Sequence, residues 1–314
     1  MLNEQAKGVY IISATPFSEG GEIDFESVDR LMDFYVERGV SGITILGMMG
    51  EAPKLTPEEP EAFLNHAINR VGGRVPVVVG VSGAGLGNMK SLTDKAMQAG
   101  ASGVMVAPMS GLNTEAKLYN YYAQVFETLG TNVPVVYQDF PLATGVAISA
   151  DLFTKLVQDF PQLVMLKHED WPGLNKLSQV RARAENQSAR RVSILCGNGG
   201  LYLPQELARG ADGAMTGFAY PEMLVRVVEL WQAGEIDMAE DLFDAYLPLV
   251  RHEQQPGFGL AVRKEILRRR GVIECAATRA PGPKLNQTDH EELSRLMARL
   301  TVNLQEKEQV WILD

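Results

Sequence analysis

Eight short apolar stretches recur along this chain, and a longer segment with helical periodicity follows each of them. The stretches cover residues 8–17, 42–47, 75–81, 103–108, 133–139, 163–169, 192–198 and 213–218. Each is largely apolar on both faces, which is typical of parallel strands covered on both sides. In the first helical segment, Val28, Leu31, Met32 and Tyr35 form one apolar stripe. This alternation predicts an α/β protein with a parallel sheet.

Eight strand-and-helix units favour a (β/α)8 TIM barrel. The alternative is a doubly wound open sheet, which usually carries a Gly-rich phosphate turn after its first strand. Here that turn reads Ala14-Thr15-Pro16-Phe17. We therefore predict a barrel catalytic domain at 1–235 and a C-terminal helical extension at 236–314. The predicted C-terminal helices cover residues 221–233, which complete the barrel, and 238–253, 258–270 and 288–300 in the extension.

Composition excludes several classes of partner. The net charge is −10, whereas a nucleic-acid partner would require a basic face. No secretory signal opens the chain, and no apolar run is long enough to span a bilayer. Cys196 and Cys275 form no disulfide framework, and the four histidines lack metal-ligand spacing. We expect a cytoplasmic protein with no nucleic-acid partner, no membrane partner and no metal.

The ends of the predicted strands are where a barrel carries its active site. Strand six ends in Lys167-His168-Glu169. Burying an ammonium group without a partner is costly, and desolvation favours the neutral amine that can form a Schiff base with a carbonyl. The alternative is that Lys167 is structural and makes an ion pair with Glu169 or Asp170.

Neighbouring polar residues offer proton-transfer groups. Tyr137 ends strand five at the level of Lys167 and could carry protons, although a tyrosine there is also compatible with a core residue with a polar tip. Strand alternation points Glu169 to the same side as Lys167 and His168 toward the helices. Glu169 could bind substrate hydroxyls or act as a general acid or base. The alternative is that Glu169 or Asp170 only pairs with a nearby basic group.

A series of short motifs then identifies a family. In order, they occupy residues 14–17, 47–51, 55–59, 136–137, 166–167, 196–198, 210–214 and 279–281. Their order, together with the 30-residue separation of Tyr137 and Lys167, resembles the dihydrodipicolinate synthase and N-acetylneuraminate lyase superfamily along nearly the whole chain.

This resemblance implies a role for each matching residue. Lys167 corresponds to the Schiff-base lysine and Tyr137 to the proton-relay tyrosine. The turn containing Gly47, Met48, Met49 and Gly50 corresponds to the one that holds the carboxylate of a keto acid, and converging backbone N–H groups suit that task. The other expected site residues are Thr15, Asp139, Glu169, Asn198 and Thr216. The resemblance also implies a homotetramer built as a dimer of dimers. No cofactor is expected, because the lysine imine is itself the electron sink.

Three departures from the family pattern matter. Met48 and Met49 replace two hydroxyl residues, often both threonine, so the proton relay must differ and could use an ordered water. The segment 107–112 lacks the tyrosine that a neighbouring subunit usually contributes. Ala143 stands where the lysine-pathway enzymes have an arginine for the second substrate's carboxylate. Aspartate semialdehyde is therefore not the expected second substrate.

These observations predict a class I lyase that acts on pyruvate or another small 2-keto acid. It would be an aldolase or a dehydratase of 2-keto-3-deoxy sugar acids. The alternative is a non-catalytic paralogue that binds a small keto acid as a regulatory or sensing protein. A third possibility is an unrelated barrel enzyme in which Lys167 is an ordinary ion pair.

Overall fold

A computed structural model describes residues 1–83, 85–186 and 189–311, with side chains as far as residue 305 in the last helix. Eight parallel strands form a closed barrel in which each pairs with the next and the eighth with the first. The strands are β1 Gly8–Ile12, β2 Gly42–Ile45, β3 Val77–Gly80, β4 Gly103–Val106, β5 Val135–Asp139, β6 Leu163–His168, β7 Ser193–Cys196 and β8 Gly213–Thr216. The predicted TIM barrel is confirmed, since every strand lies within one of the eight apolar stretches.

Helices cover the outside of the barrel. They are α1 Phe25–Glu37, α2 Glu59–Val71, α3 Leu86–Gln98, α4 Glu115–Leu129, α5 Pro141–Thr144, α6 Ala150–Asp159, α7 Leu174–Glu185, α8 Leu203–Ala208 and α9 Pro221–Ala233. Side chains of Asp24, Thr114 and Ser149 cap the first turns of α1, α4 and α6 by accepting backbone N–H bonds. These caps explain where the three helices begin.

Strand alternation divides the apolar side chains into an inner and an outer core. The inner cluster fills the barrel and consists of Leu2, Tyr10, Ile12, Val78, Met105, Val136, Val164, Met165, Leu195 and Met215. The outer core lies between the barrel and its helices and includes Val135 and Tyr137 of β5. On β5 the inner positions are therefore Val136 and Gln138, which determines which side chains reach the functional end of the barrel.

Three further helices follow the barrel: α10 Ile236–Glu253, α11 Gly259–Arg269 and α12 Gln287–Trp311. Buried charges attach them to the end of β8. Arg263 of α11 forms an ion pair with Glu253 and donates to the carbonyl of Gly217, while the Glu253 carboxylate accepts the N–H of Ala219. The predicted C-terminal helices are confirmed, and the domain boundary at 235 stays a prediction that falls between α9 and α10. Among the described helices, none is long and apolar enough to cross a membrane.

We expect Glu265 of α11 to make the fold sensitive to acid. Burial alone would raise its pKa, but hydrogen bonds from Arg268 and Arg269 outweigh burial and lower the pKa from 4.5 to about 2; His290 lies 3.4 Å away. A lowered pKa stabilises the fold above the ordinary value, and this stabilisation is lost as the pH falls from about 4.5 toward 2.

Urea unfolding midpoints measured across that pH range test this expectation. Glu265→Gln should be less stable than the parent at neutral pH, and its midpoint should fall less on acidification. If the urea midpoints of both proteins fell equally on acidification, Glu265 would not be the group that makes the fold sensitive to acid.

Candidate active site

Lys167 and Glu169 face each other inside the carboxyl end of the barrel. The Lys167 Nζ lies 2.9 Å from the Glu169 Oε1, and the two side chains are only 5% and 8% exposed. Alternation explains the pairing, because residues two apart on one strand project to the same side. Each charge compensates the burial of the other. The predicted shared orientation of these two residues is confirmed, and Lys167 contacts Glu169 as an ion pair. The catalytic role of Lys167 stays a prediction.

Gln138 joins this pair from the neighbouring strand. It is the register partner of Lys167 in the β5–β6 ladder, and its side-chain Nε2 donates to Glu169 Oε1 at 2.8 Å. Its side chain is buried. One carboxylate oxygen therefore receives both the lysine and the amide.

The backbone around Glu169 is also fixed. Its N–H donates to the carbonyl of Asp139, and its carbonyl accepts the side-chain amide of Asn198 at 3.1 Å. Gly197 leaves the space that the side chain occupies, since a Cβ there would lie 2.0 Å from the Glu169 Cγ. The residue at 197 must therefore be glycine for the carboxylate to lie where it does.

Tyr137 is on the opposite face of β5 and does not reach Lys167. Its ring packs against Tyr122 of α4 and Phe153 of α6, with centroid distances of 4.6 and 5.8 Å. Its hydroxyl has no hydrogen-bond partner among the described residues, and burial raises its pKa well above the usual value. The expectation that Tyr137 faces the site is wrong, because the strand register presents the next residue, Gln138, to the interior.

Asp139 is the second predicted site residue on the outer face. Its carboxylate lies 2.8 Å from the Lys176 Nζ on α7. Burial raises the pKa of Asp139, and the Lys176 ammonium opposes that shift. Lys176 also pairs with Asp170, while His168 contacts Glu206. The outward direction predicted for His168 is confirmed, whereas the placement of Asp139 in the site is wrong.

The turn after β2 lies over the end of the barrel. Gly47 comes close to Ile12 and Met105 of the inner cluster, and Met49 packs against the same cluster. Thr15, after β1, donates to the carbonyl of Gly50 at 2.6 Å. Gly47, Met49, Gly50 and Thr15 therefore lie together at this end of the barrel, and Met48 is 37% exposed. Their role in substrate binding stays a prediction.

Buried charges from the C-terminal extension hold this turn. Glu51 follows the turn in a left-handed conformation, with φ of 55°. Its carboxylate lies 2.6 Å from the Lys264 Nζ of α11 and 2.9 Å from the Lys54 Nζ, and it accepts the N–H of Arg279. Lys264 itself is completely buried. The extension therefore fixes the conformation of the turn that follows β2.

Thr216, the last residue of β8, supports the turn that follows β7. The N–H of Gly199 donates to its Oγ1 at 2.6 Å, so the hydroxyl supports the segment that carries Asn198. Sequence reasoning missed Gln138 and Lys264. The strand alternation that oriented Glu169 could have found Gln138, but the contact of Lys264 depends on how the extension folds back.

Comparisons with known proteins identify the family of this chain. A model of the dihydrodipicolinate synthetase family matches residues 5–300. The chain belongs to this family. As a family member it is an enzyme of the lyase class, with the fold and the strand-end lysine that the resemblance implied.

Individual relatives align with almost the whole length of this chain. L-2-keto-3-deoxyarabonate dehydratase of Azospirillum brasilense is 30% identical over 94% of both chains. The crystal structure of dihydrodipicolinate synthase from Rhodopseudomonas palustris is 48% identical, with a TM-score of 0.93 over 95% of this chain and 99% of that one. A prophage protein of the same family from E. coli K12, solved with pyruvate, is 26% identical, with a TM-score of 0.85 over 94% and 98% of the two chains.

We expect Tyr137→Phe to leave the chemistry of the site intact. The change removes a buried hydroxyl that has no described partner, so stability should stay equal or rise by about 1 kcal/mol. Urea unfolding and imine trapping at Lys167 measure the two effects. A large loss of imine trapping in a normally folded variant would show that Tyr137 takes part in the reaction.

We expect Lys264→Met to destabilise the fold by about 2–4 kcal/mol, because it leaves Glu51 buried with one charged partner fewer. Lys54→Met is the matched control: the Lys54 side chain is 26% exposed, so its loss should cost less than about 1 kcal/mol. Equal unfolding free energies for the two variants would show that burial of Lys264 does not matter.

Proposed function

We propose that this protein is a class I lyase in which the amine of Lys167 forms a Schiff base with a 2-keto acid. The observation that supports this is the buried amine at the end of β6, held 2.9 Å from a carboxylate. A buried amine next to a proton acceptor can become the neutral nucleophile that attacks a carbonyl. No cofactor is needed, because the protonated imine is the electron sink.

Lys167 and Glu169 together can perform the steps of imine formation. Glu169 accepts a proton from the Lys167 ammonium. The free amine then adds to the keto carbon, and a proton passes from its nitrogen to the former carbonyl oxygen. The resulting carbinolamine loses its hydroxyl as water when Glu169 returns the proton.

In aldol cleavage the protonated imine accepts the electron pair of the broken carbon–carbon bond and becomes an enamine. In dehydration it first accepts the electron pair of a C–H bond on the carbon next to the imine carbon, as Glu169 removes that proton. The enamine then expels the hydroxyl on the following carbon, which leaves as water with the proton returned by Glu169.

We assign the carboxylate of the keto acid to the turn between Gly47 and Gly50. Backbone N–H groups of a turn that follows a strand suit an anion, and Thr15 and Glu51 fix the conformation of the turn. Met49 makes the adjoining wall apolar. Pyruvate is the simplest keto acid of this kind, and the E. coli relative solved with pyruvate supports the choice.

We propose a hydroxylated or neutral partner for the rest of the substrate. Ala143 of α5 supplies no cation for a second carboxylate, which disfavours aspartate semialdehyde. A 2-keto-3-deoxy sugar acid carries the hydroxyls that Glu169 and Asn198 could bind. The name of the A. brasilense relative, a dehydratase of such an acid, supports this substrate class.

We also propose a cytoplasmic homotetramer built as a dimer of dimers, since family membership implies that assembly. A non-catalytic keto-acid sensor is the second candidate function. It is favoured by one observation: the hydroxyl of Tyr137 is turned away from Lys167. In that case an imine forms but does not proceed to product.

Reduction with borohydride in the presence of pyruvate tests the proposal. Intact mass should show one reduced adduct, and Lys167→Ala should abolish it, because no other amine is placed as nucleophile in this scheme. No adduct with pyruvate or with longer 2-keto acids, under conditions that trap a known family enzyme, would refute the Schiff-base proposal. An adduct without turnover of any aldehyde or keto-sugar acid would favour the sensor.

A further inference from the structure

The interior position of β5 beside Lys167 holds an amide. Gln138 pairs with Lys167 in register, and the phenol of the preceding residue lies in the outer core. An amide neither accepts nor releases a proton at ordinary pH, so Gln138 cannot itself carry protons between Lys167 and a substrate. Proton transfer at this site must use another group.

Glu169 is the titratable group that contacts Lys167 within the described part of the chain. It is held from several directions: Gln138 at its carboxylate, Asn198 at its carbonyl and Asp139 at its N–H. Such fixed contacts keep a carboxylate within proton-transfer distance of its partner. A carboxylate that is the only proton carrier of a site needs such contacts to keep it in place.

Gln138 and Lys167 contact the same carboxylate oxygen of Glu169. Both Lys167 Nζ and Gln138 Nε2 lie on Oε1 of Glu169, at 2.9 and 2.8 Å. When Lys167 becomes an imine, it loses part of its hydrogen-bonding capacity, and the amide of Gln138 still holds the same oxygen. Gln138 therefore maintains the carboxylate position through the steps that change Lys167.

We propose that Gln138 is a positioning residue for Glu169 and that Glu169 alone carries the protons of the reaction. This inference rests on the proposed function. In the pyruvate imine, the carboxylate of Glu169 removes a proton from the methyl carbon, and the electron pair moves to give the enamine. Returning a proton from the Glu169 carboxyl to that carbon restores the imine, so charge and atoms balance.

Exchange of the methyl protons of pyruvate in D2O measures this step without a second substrate. Proton NMR follows the loss of the methyl signal, while borohydride trapping on the same samples measures imine formation. Glu169→Gln should lower exchange by at least about 100-fold, the usual contribution of a general base. Gln138→Met, which keeps the length but removes the amide, should lower exchange by about 10- to 100-fold. A protein that is only misfolded would lose trapping as well, whereas we expect Gln138→Met to be trapped.

A pair of double variants tests whether a side chain at position 138 lies close enough to the substrate to transfer a proton. Gln138→Tyr in the Glu169→Gln background introduces a phenol that can carry a proton, and we expect part of the exchange to return. Gln138→Phe in the same background has the same ring without the hydroxyl and should restore nothing. Tyr137→Phe, which changes the outer face of the same strand, is the control that should exchange like the parent.

The outcomes separate the two proposals. If the parent traps pyruvate but Gln138→Met exchanges at the parent rate, the positioning role is overturned. If Glu169→Gln keeps its exchange, Glu169 is not the proton carrier. If the parent traps no keto acid, the proposed function fails first.

We expect the parent and Gln138→Met both to trap pyruvate, with exchange lowered in Gln138→Met and in Glu169→Gln. Because Glu169 also serves imine formation, exchange in its variants is divided by the amount of trapped imine. Part of the exchange should return in the Glu169→Gln background with Gln138→Tyr and not with Gln138→Phe.

Discussion

The parallel pairing of β5 with β6 determines the chemistry available at this site. Because Gln138 and Lys167 are partners in that ladder, the amide, the amine and the carboxylate of Glu169 meet at one point inside the barrel. A shift of one residue would exchange the two faces of β5. It would then place Tyr137 beside the lysine and expose the amide to the helices. The backbone register therefore determines which side chains are available for proton transfer beside Lys167.

The C-terminal extension contributes to the site from a distance. Lys264 of α11 reaches Glu51, and Arg263 reaches the end of β8. Both side chains are buried. The barrel supplies Glu51 as the ion-pair partner of Lys264, whereas the ion-pair partner of Arg263 is Glu253 of α10. The extension is therefore part of the framework of the active site.

The sequence predicted the fold well because its signals are local. Apolar stretches and helical stripes repeat eight times, and each stretch contains a strand in the structure. It also oriented Glu169 and His168 correctly from alternation. The errors at Tyr137 and Asp139 have one cause: a motif match does not say which face of a strand a residue occupies, and alternation along β5 places both residues on the outer face. The Lys264–Glu51 contact joins residues 213 positions apart, and no local pattern encodes such a pairing.

Gly197 has a consequence for how this protein could change during evolution. Its missing side chain is the space in which the Glu169 carboxylate rests, since a Cβ there would overlap that side chain. Lys167 depends on the same space, because its buried ammonium is paired with that carboxylate. A single added methyl group would therefore displace the partner of Lys167 and weaken both the capture of a keto acid and its turnover. In this barrel, a working site and a disabled one are separated by one carbon atom.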